Sequence, residues 1–524
     1  MESISIGNID LAVVIIYFVG IFILGLWVAR SNKTSVDLFL GGRTFTWGLI
    51  GLSIFASNIS SSTIIGLSGA AYSSGIVQSV YEWMAGVALL IAAGIFIPMY
   101  LRSKITTVPE FLELRYDSRS RKFFSIVTIF MSVVIEMAGG LYAGALVLQV
   151  FFPDIEIWHT ALALAAFAGI YTAFGGLKAV VYTDAIQAVV LLFGCGILSY
   201  LLFEKMDFSW SNIVNSVPAE HLSVVRPMSD KTLPWLGLLV GVPFLQFWYF
   251  STNQYIIQRA LGAKDVNHAR WGLVLASLLK IAPLFLMVIP GVMAISALPG
   301  LDNPDMVFPT AMKEFLPVGL MGLVLAGLIS AIMSSVDSIL NSSSTLIVMD
   351  FVKPSNPDMD DKRVTNIGRY ITLGLAVVAA LWAPQIANFT GLWDYLQQMF
   401  SIVVPPIAVI FLVGVFFKRG NGPGAFWTLI LGTVFGIILF ILGLMGIWKI
   451  HYTINVGIAV FVSSIIFFVI SMRTEAPSAE VIEQYTYKRS LLTEGMNNPP
   501  WYKDYRYQSV AVLALIFVIL IIFW

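Results

Sequence analysis

The sequence is poor in charge, cysteine and histidine. Charged residues make up 11% of its 524 positions, where a soluble domain carries roughly 25%. So few charges could not cover the surface of a soluble fold of this length. Lys plus Arg and Asp plus Glu balance at 30 each; net charge gives no indication of a nucleic-acid partner, and none is expected. The one cysteine, Cys195, lies in an apolar run, so an internal disulfide is excluded and a metal cluster is not expected. The four histidines (His159, His221, His268, His451) are far apart and in or beside loops. With neither a nucleophile beside its base nor a set of metal ligands, an enzyme is disfavoured, and no cofactor is expected. No GxxxxGK[ST] loop is present, which argues against an ATP-driven pump. The TVGYG filter of potassium channels is missing too.

What the sequence has is apolar length. Hydrophobic residues reach 58%, with 37 Phe, 14 Trp and 42 Gly, and the mean hydropathy is +0.86. Continuous apolar runs exclude an outer-membrane barrel, whose strands alternate over short segments. They predict an all-α polytopic membrane protein. Runs able to cross the hydrocarbon fall near 10–29, 47–71, 80–99, 123–149, 159–176, 183–203, 234–257, 270–296, 315–348, 367–386, 392–417, 424–446, 452–471 and 508–524. That makes about fourteen spans. The first is followed by Arg30 and Lys33 and reads as a retained helix, not a cleaved signal. With the N-terminus outside, 24 of the 30 basic residues fall in inner segments, as the positive-inside rule requires. Both termini are therefore expected on the extracellular or periplasmic side of the plasma (inner) membrane. The segments 204–233 and 472–507, the second a cytoplasmic linker, are the only sizeable soluble pieces.

Two spans are interrupted by polar residues. The first contains Ser57-Asn58-Ile59-Ser60-Ser61-Ser62-Thr63, closed by Gly66; the other contains Pro243, Gln246 and Ser251-Thr252-Asn253-Gln254. A lone membrane serine usually bonds back to the preceding turn or glues two helices. A dense cluster points instead to a helix unwound at mid-membrane, with its freed carbonyls facing an ion or solute. The interruptions are five spans apart, as in transporters built from inverted repeats. The organisation expected is an extra helix over 10–29, then helices 2–7 over 47–257, with the first repeat at about 47–203. The second repeat, with helix 12, covers 234–446, and peripheral helices cover 452–524.

Glu82, Glu136, Asp184, Lys280 and Asp337 are ionisable residues within spans and need a partner or a wet cavity. On the 315–348 span, Ala331, Ser334 and Ser335 share one face, continued by Asp337, Ser338 and Asn341. Their oxygens suit Na⁺, although the same hydroxyls could equally join helices.

Several ordered motifs carry a resemblance: ASNIS with GLSG at 56–69, YEWMAG at 81–86, TVPEFLELRY at 107–116, YTAFGGLKAVVYTDAIQ at 171–187, NQYIIQRALGAK at 253–264, FLPVG at 315–319 and SAIMSSVDSILNSSSTLIVMD at 330–350. Over nearly its whole length the chain resembles the sodium/solute symporter family and its sodium/glucose cotransporters. The resemblance implies a LeuT-like core of two inverted five-helix repeats. It implies a sodium site made by Ala56, Ile59, Ala331, Ser334 and Ser335, and a possible second one from Asp184, Ser334, Asp337 and Ser338. By likeness to a bacterial galactose-transporting relative, it implies a solute site of Glu82, Lys280, Gln397, Gln246, Tyr249 and Thr63. Tyr249 would be the inner gate, and Leu67, Tyr81 and Trp393 the outer one. Thr63, Gln246 and Trp393 depart from that relative. The implied function is import of a neutral sugar such as glucose or galactose with Na⁺, from a lipid bilayer setting. The alternatives are Na⁺ symport of inositol, sialic acid or an amino acid and, less favoured, a passive channel.

Overall fold

The computed structural model of the protein describes residues 7–30, 34–152, 154–388, 392–497 and 499–524. Lys33, counted above among the inner basic residues, lies outside these. The helices are α1 (Asn8–Ala29), α2 (Trp47–Asn58), α3 (Ser61–Ser74), α4 (Ile76–Arg102), α5 (Ser118–Gln149), α6 (Ile157–Ile170), α7 (Gly175–Lys205), α8 (Trp235–Ser251), α9 (Gln254–Leu261), α10 (Val266–Ala297), α11 (Leu320–Ser355), α12 (Asp361–Ala387), α13 (392–416), α14 (Gly422–Leu444), α15 (Tyr452–Arg473) and α16 (Tyr505–Ile522). Among the described residues, eleven helices are long and apolar enough to cross a membrane, or twelve when α2 and α3 count as one broken span. Two shorter apolar helices, α6 and α8, add to these. The fold is thus all-helical and polytopic.

Apolar patterning separates a core from a lipid-facing shell. Of the residues in the most apolar stretch of α11 94% are buried, against 22% in that of α16. Ile16, Trp27, Phe517 and Ile522 on the outer helices are exposed, which is tolerable only where lipid takes the place of water. The helical stretch from Ile157 to Lys205 packs along Leu320–Ile347. It is broken at Gly176, whose φ of 59° and ψ of −169° are open to glycine alone; a side chain there would also strike Leu38. This break separates the two spans read at 159–176 and 183–203. The long apolar run near 315–348 resolves into a short helix ending at Phe315 and α11 from Leu320. Asp10 of α1 caps α11 from outside, its Oδ1 accepting from the amides of Gly319 (2.7 Å) and Gly322 (2.6 Å). A carboxylate at a helix N-terminus satisfies free amides and the macrodipole together.

Candidate functional site: a broken helix, two ion pairs and a gated cavity

The polar cluster of the sequence breaks the helix between α2 and α3, which meet at 58°. Ser and Asn offer the backbone side-chain hydrogen bonds that compete with the helical ladder. Ile59 (ψ 72°) and Ser60 (ψ 171°) leave the helical region. The Ser60 amide turns to the Asn58 carbonyl at 2.9 Å, and the Thr63 amide turns to Ser60 Oγ at 3.2 Å. In a continuous helix these amides would bind the carbonyls of Ala56 and Ile59. Those two oxygens therefore leave the ladder. From α11, Ser335 Oγ reaches the Ser57 carbonyl at 3.1 Å and its own Ala331 carbonyl at 3.0 Å. The break, Ala331 and Ser335 are thus together. Ser334 is nearby but turned away: its hydroxyl donates to Asp184 Oδ1 at 2.5 Å.

Asp184 sits in a fully buried cluster. It accepts from Ser53 (2.5 Å) and Ser57 (3.1 Å) of α2, and Ser57 also meets Ser338 at 3.0 Å. At its centre is Arg259 of α9, bonded to Asp184 Oδ2 at 3.0 Å, to Ser53 through Nε at 2.6 Å, and to Ser57 and Ser338. Both charged side chains are wholly buried. Of the oxygens read as a possible second sodium set, Asp184 and Ser338 therefore bond a guanidinium, Ser334 is linked to it through Asp184, and Asp337 is in reach of Ser338 at 3.2 Å. Sequence reading missed Arg259 because it counted with the inner basic residues. Ser53 was legible in principle: it stands one turn before Ser57 on one helix face.

A cavity of about 60 Å³ lies beside the break, far smaller than the roughly 300 Å³ of ordinary ligand pockets, so its walls are drawn in. Thr63, Glu82, Gln246, Tyr249, Trp393 and Gln397 line it, together with Asn58, Glu136, Tyr255 and Ser335. Lys280 does not. Its ammonium is wholly buried behind Glu82, 2.6 Å from Oε2 and 5.0 Å from the centre of the Phe250 ring. Lys280 is thus placed to hold Glu82, not to touch a solute directly. Thr63 Oγ1 is committed to the Asn58 carbonyl at 2.9 Å. Asn58 Oδ1, Gln397 Oε1 and Trp393 Nε1 are buried without a hydrogen-bond partner, which fits a wall built for a hydroxylated solute. No Lys, Arg or His lines the cavity among the described residues.

The residues expected as gates pack on either side of this cavity. Trp393 lies between this cavity and a second one lined by Gly66, Ser74, Gln78 and Asp305. Its ring meets Tyr81 edge-on at 5.5 Å, and Tyr81 Oη bonds to Tyr452 Oη of α15 at 2.6 Å. Leu67 is fully buried and lines neither cavity. Opposite, Tyr249 packs on Trp248, Phe250 and Phe400, and its hydroxyl meets that of Tyr255.

The sequence profile of the "Sodium:solute symporter family" matches residues 38–432. The rabbit (Oryctolagus cuniculus) sodium/myo-inositol cotransporter 2 is 33% identical over 91% of this chain and 78% of its own. The zebrafish (Danio rerio) sodium/glucose cotransporter 4 is 33% identical over 83% of this chain and 72% of its own. Among solved structures, a substrate-bound, outward-open Na⁺-coupled sialic acid symporter superposes with a TM-score of 0.78 at 23% identity, over 90% of this chain and 99% of that one. A nucleobase-cation-symport-1 family transporter in a closed conformation gives 0.59 at 14% identity, over 87% and 99%. At such identities the structures speak for the fold.

Proposed function

Because the chain belongs to the sodium:solute symporter family, whose members are transporters and not enzymes, we propose that it imports a neutral cyclic polyol together with Na⁺. That it is a Na⁺-coupled secondary active symporter of a small polar solute follows from the family; the class of solute is our reading. One observation carries it: the cavity wall has carboxylates and amides but no cationic side chain among the described residues, since Lys280 is consumed by Glu82. A carboxylate-bearing solute such as a sialic acid would lack a counter-charge there. A ring of hydroxyls suits acceptors such as Glu82 and the free amide oxygens of Gln397 and Asn58. Myo-inositol, which a similar rabbit protein is named for, is put ahead of a hexose. Both present the same chemistry.

In this reading Na⁺ takes the Ala56 and Ile59 carbonyls with Ala331, Ser334 and Ser335, and so joins the α2–α3 break to α11. The solute binds against Tyr249, under Trp393 and Tyr81, and the gates open alternately. Entry of each Na⁺ contributes about 2.3 kcal/mol per 100 mV, roughly fifty-fold accumulation, before its own concentration gradient is counted. Fourteen spans, counting α2–α3 as one with α6 and α8, in two inverted five-helix repeats with both termini outside, are supported by the breaks in the second and seventh spans. The test is counterflow in proteoliposomes with myo-inositol, glucose, galactose, a sialic acid and proline, with and without external Na⁺. Na⁺-dependent exchange of myo-inositol or a hexose is expected; exchange of the sialic acid or proline alone would refute the polyol reading.

A further inference from the structure

Several buried carboxylates among the described residues are held by cationic or amide partners, whereas Glu136, which faces the cavity, is in no ion pair. Glu82 is held by Lys280, Asp184 by Arg259, and Asp350 by Arg121 at 2.6 Å, while Asp10 spends its charge on two amides. Glu136 of α5 is 8% exposed and has no Lys, Arg or His within ion-pair distance among the described residues. A π-helical turn over Met131–Met137 carries it, a distortion frequent at functional sites. Its Oε2 accepts from Ser132 and its Oε1 from Tyr255, both at 3.1 Å. Asn253 faces it, an amide with no closer partner for either polar atom. Tyr255 in turn meets Tyr249, the expected inner gate.

We propose that Glu136 is a cation station on the transport path, distinct from the α2–α3 sodium site, which takes up one monovalent cation, Na⁺ or H⁺. An ionised carboxylate at membrane depth is strongly disfavoured unless a cation or proton offsets it. The side chains that could do so from neighbouring elements are spoken for. Lys280 of α10 pairs with Glu82, and Arg259 of α9, although its guanidinium also bonds the Tyr255 carbonyl, pairs with Asp184. What remains around Glu136 is oxygen: the Tyr255, Tyr249 and Ser132 hydroxyls, the Asn253 amide and, across the cavity, the Glu82 carboxylate. Oxygen ligands suit a hard monovalent cation, and the same chain of hydroxyls would conduct a proton. The site shares a cavity with Ser57, Asn58 and Ser335, so a cation reaches it without leaving the path.

The experiment needs no solute and therefore stands whichever solute the transporter carries. Equilibrium binding of ²²Na⁺ is measured on the full-length protein in nanodiscs at pH 8, for the parent, Glu136→Gln and Glu136→Asp, alongside proton uptake after a jump to pH 5.5. If the station takes Na⁺, Glu136→Gln binds one Na⁺ fewer per protein than the parent, and Glu136→Asp retains it. If it takes H⁺, Na⁺ counts are equal and Glu136→Gln takes up one proton fewer. Equal counts in both measurements overturn the proposal. Loss of all Na⁺ binding in Glu136→Gln, with Glu136→Asp also lost, marks Glu136 as a structural residue and overturns it as well.

Discussion

Glu82→Gln is the sharpest probe of the solute site, because it changes one charge and almost no volume. Lys280 is wholly buried and Glu82 nearly so, with 2.6 Å between them. Removing one partner of such a pair leaves a buried, uncompensated charge and costs about 3–5 kcal/mol. The Phe250 ring, 5.0 Å from the Lys280 ammonium, returns at most about 2 kcal/mol of that. A net loss of at least about 1–3 kcal/mol is expected, read as a lower midpoint in thermal unfolding of the detergent-solubilised protein. Lys280→Met should cost a similar amount for the converse reason. The double variant removes both charges and should recover to within about 1–2 kcal/mol of the parent. Transport behaves differently: a site of buried acceptors discriminates by leaving its own groups unpaired, so Glu82→Gln and the double variant should each lose at least tenfold in Na⁺-driven uptake. Two results would refute this reasoning. Additive destabilisation would show that charge neutralisation is not what joins the residues. Near-normal uptake by the stable double variant would reduce the pair to structural glue.

Three further outcomes follow from the same geometry. Ser335→Ala removes a hydroxyl that bridges the break and α11, and at about 1.5 kcal/mol for a contact to a charge it should raise the Na⁺ concentration for half-maximal uptake roughly tenfold; an unchanged activation curve would count against the sodium assignment. Arg259→Gln strips Asp184 of its counter-charge, so the thermal midpoint of that variant should depend on Na⁺ far more steeply than the parent's, with choline chloride as the control. His451, before α15, is held down to about 4 by burial, against weaker opposing effects of Asp230 and the backbone of Lys231 and Thr232; the unfolded chain binds its proton near 6.5, so stability should be full above that pH and fall between about 6.5 and 4, and His451→Gln should flatten that limb of a melting-point profile.

Part of this was legible in the sequence for plain physical reasons. A dense run of Ser, Asn and Thr at membrane depth competes with helical hydrogen bonding, and the chain breaks at Ile59 and Ser60, inside that run. Apolar runs of bilayer length marked the spanning helices, and ordered motifs marked the family. Arg259 was not legible. Counting basic residues by segment treats each as solvated, whereas this one is carried inward by α9, the short helix after the interruption at Thr252 and Asn253, and is satisfied by partners from α2, the Asp184 helix and α11. Lys280 was legible as a buried charge but not as one screened from the cavity, since that depends on which side of Glu82 the ammonium lies. The Glu136 surroundings come mostly from α8, α9 and the break between them, more than a hundred residues on in sequence, and only Ser132, one turn away, shares its helix.

The way these charges are settled bears on coupling. A bound ion shifts a transporter only as far as its affinity differs between conformations. The Asp184–Arg259 pair supplies its own cation and so contributes no free negative potential that would hold Na⁺ in every state. What is left to the proposed sodium site is weaker and more conditional: carbonyls freed at the α2–α3 break and hydroxyls on α11. In this structure Ser335 spends its proton on the Ser57 and Ala331 carbonyls, so the two elements are already joined by a neutral bond. Na⁺ arriving there would turn carbonyl and hydroxyl oxygens toward itself and replace one hydrogen bond, worth about 1 kcal/mol, by several ion–dipole contacts that exist only while the break and α11 are close. Its affinity would then depend on their separation, which is the differential that drives alternating access. Pulling the two elements apart should then weaken Na⁺ binding even with every ligand retained. Ala331→Leu, which keeps the carbonyl and adds bulk at a side chain that is 2% exposed, should therefore raise the half-maximal Na⁺ concentration as much as Ser335→Ala does; unchanged Na⁺ activation in a folded Ala331→Leu protein would refute it.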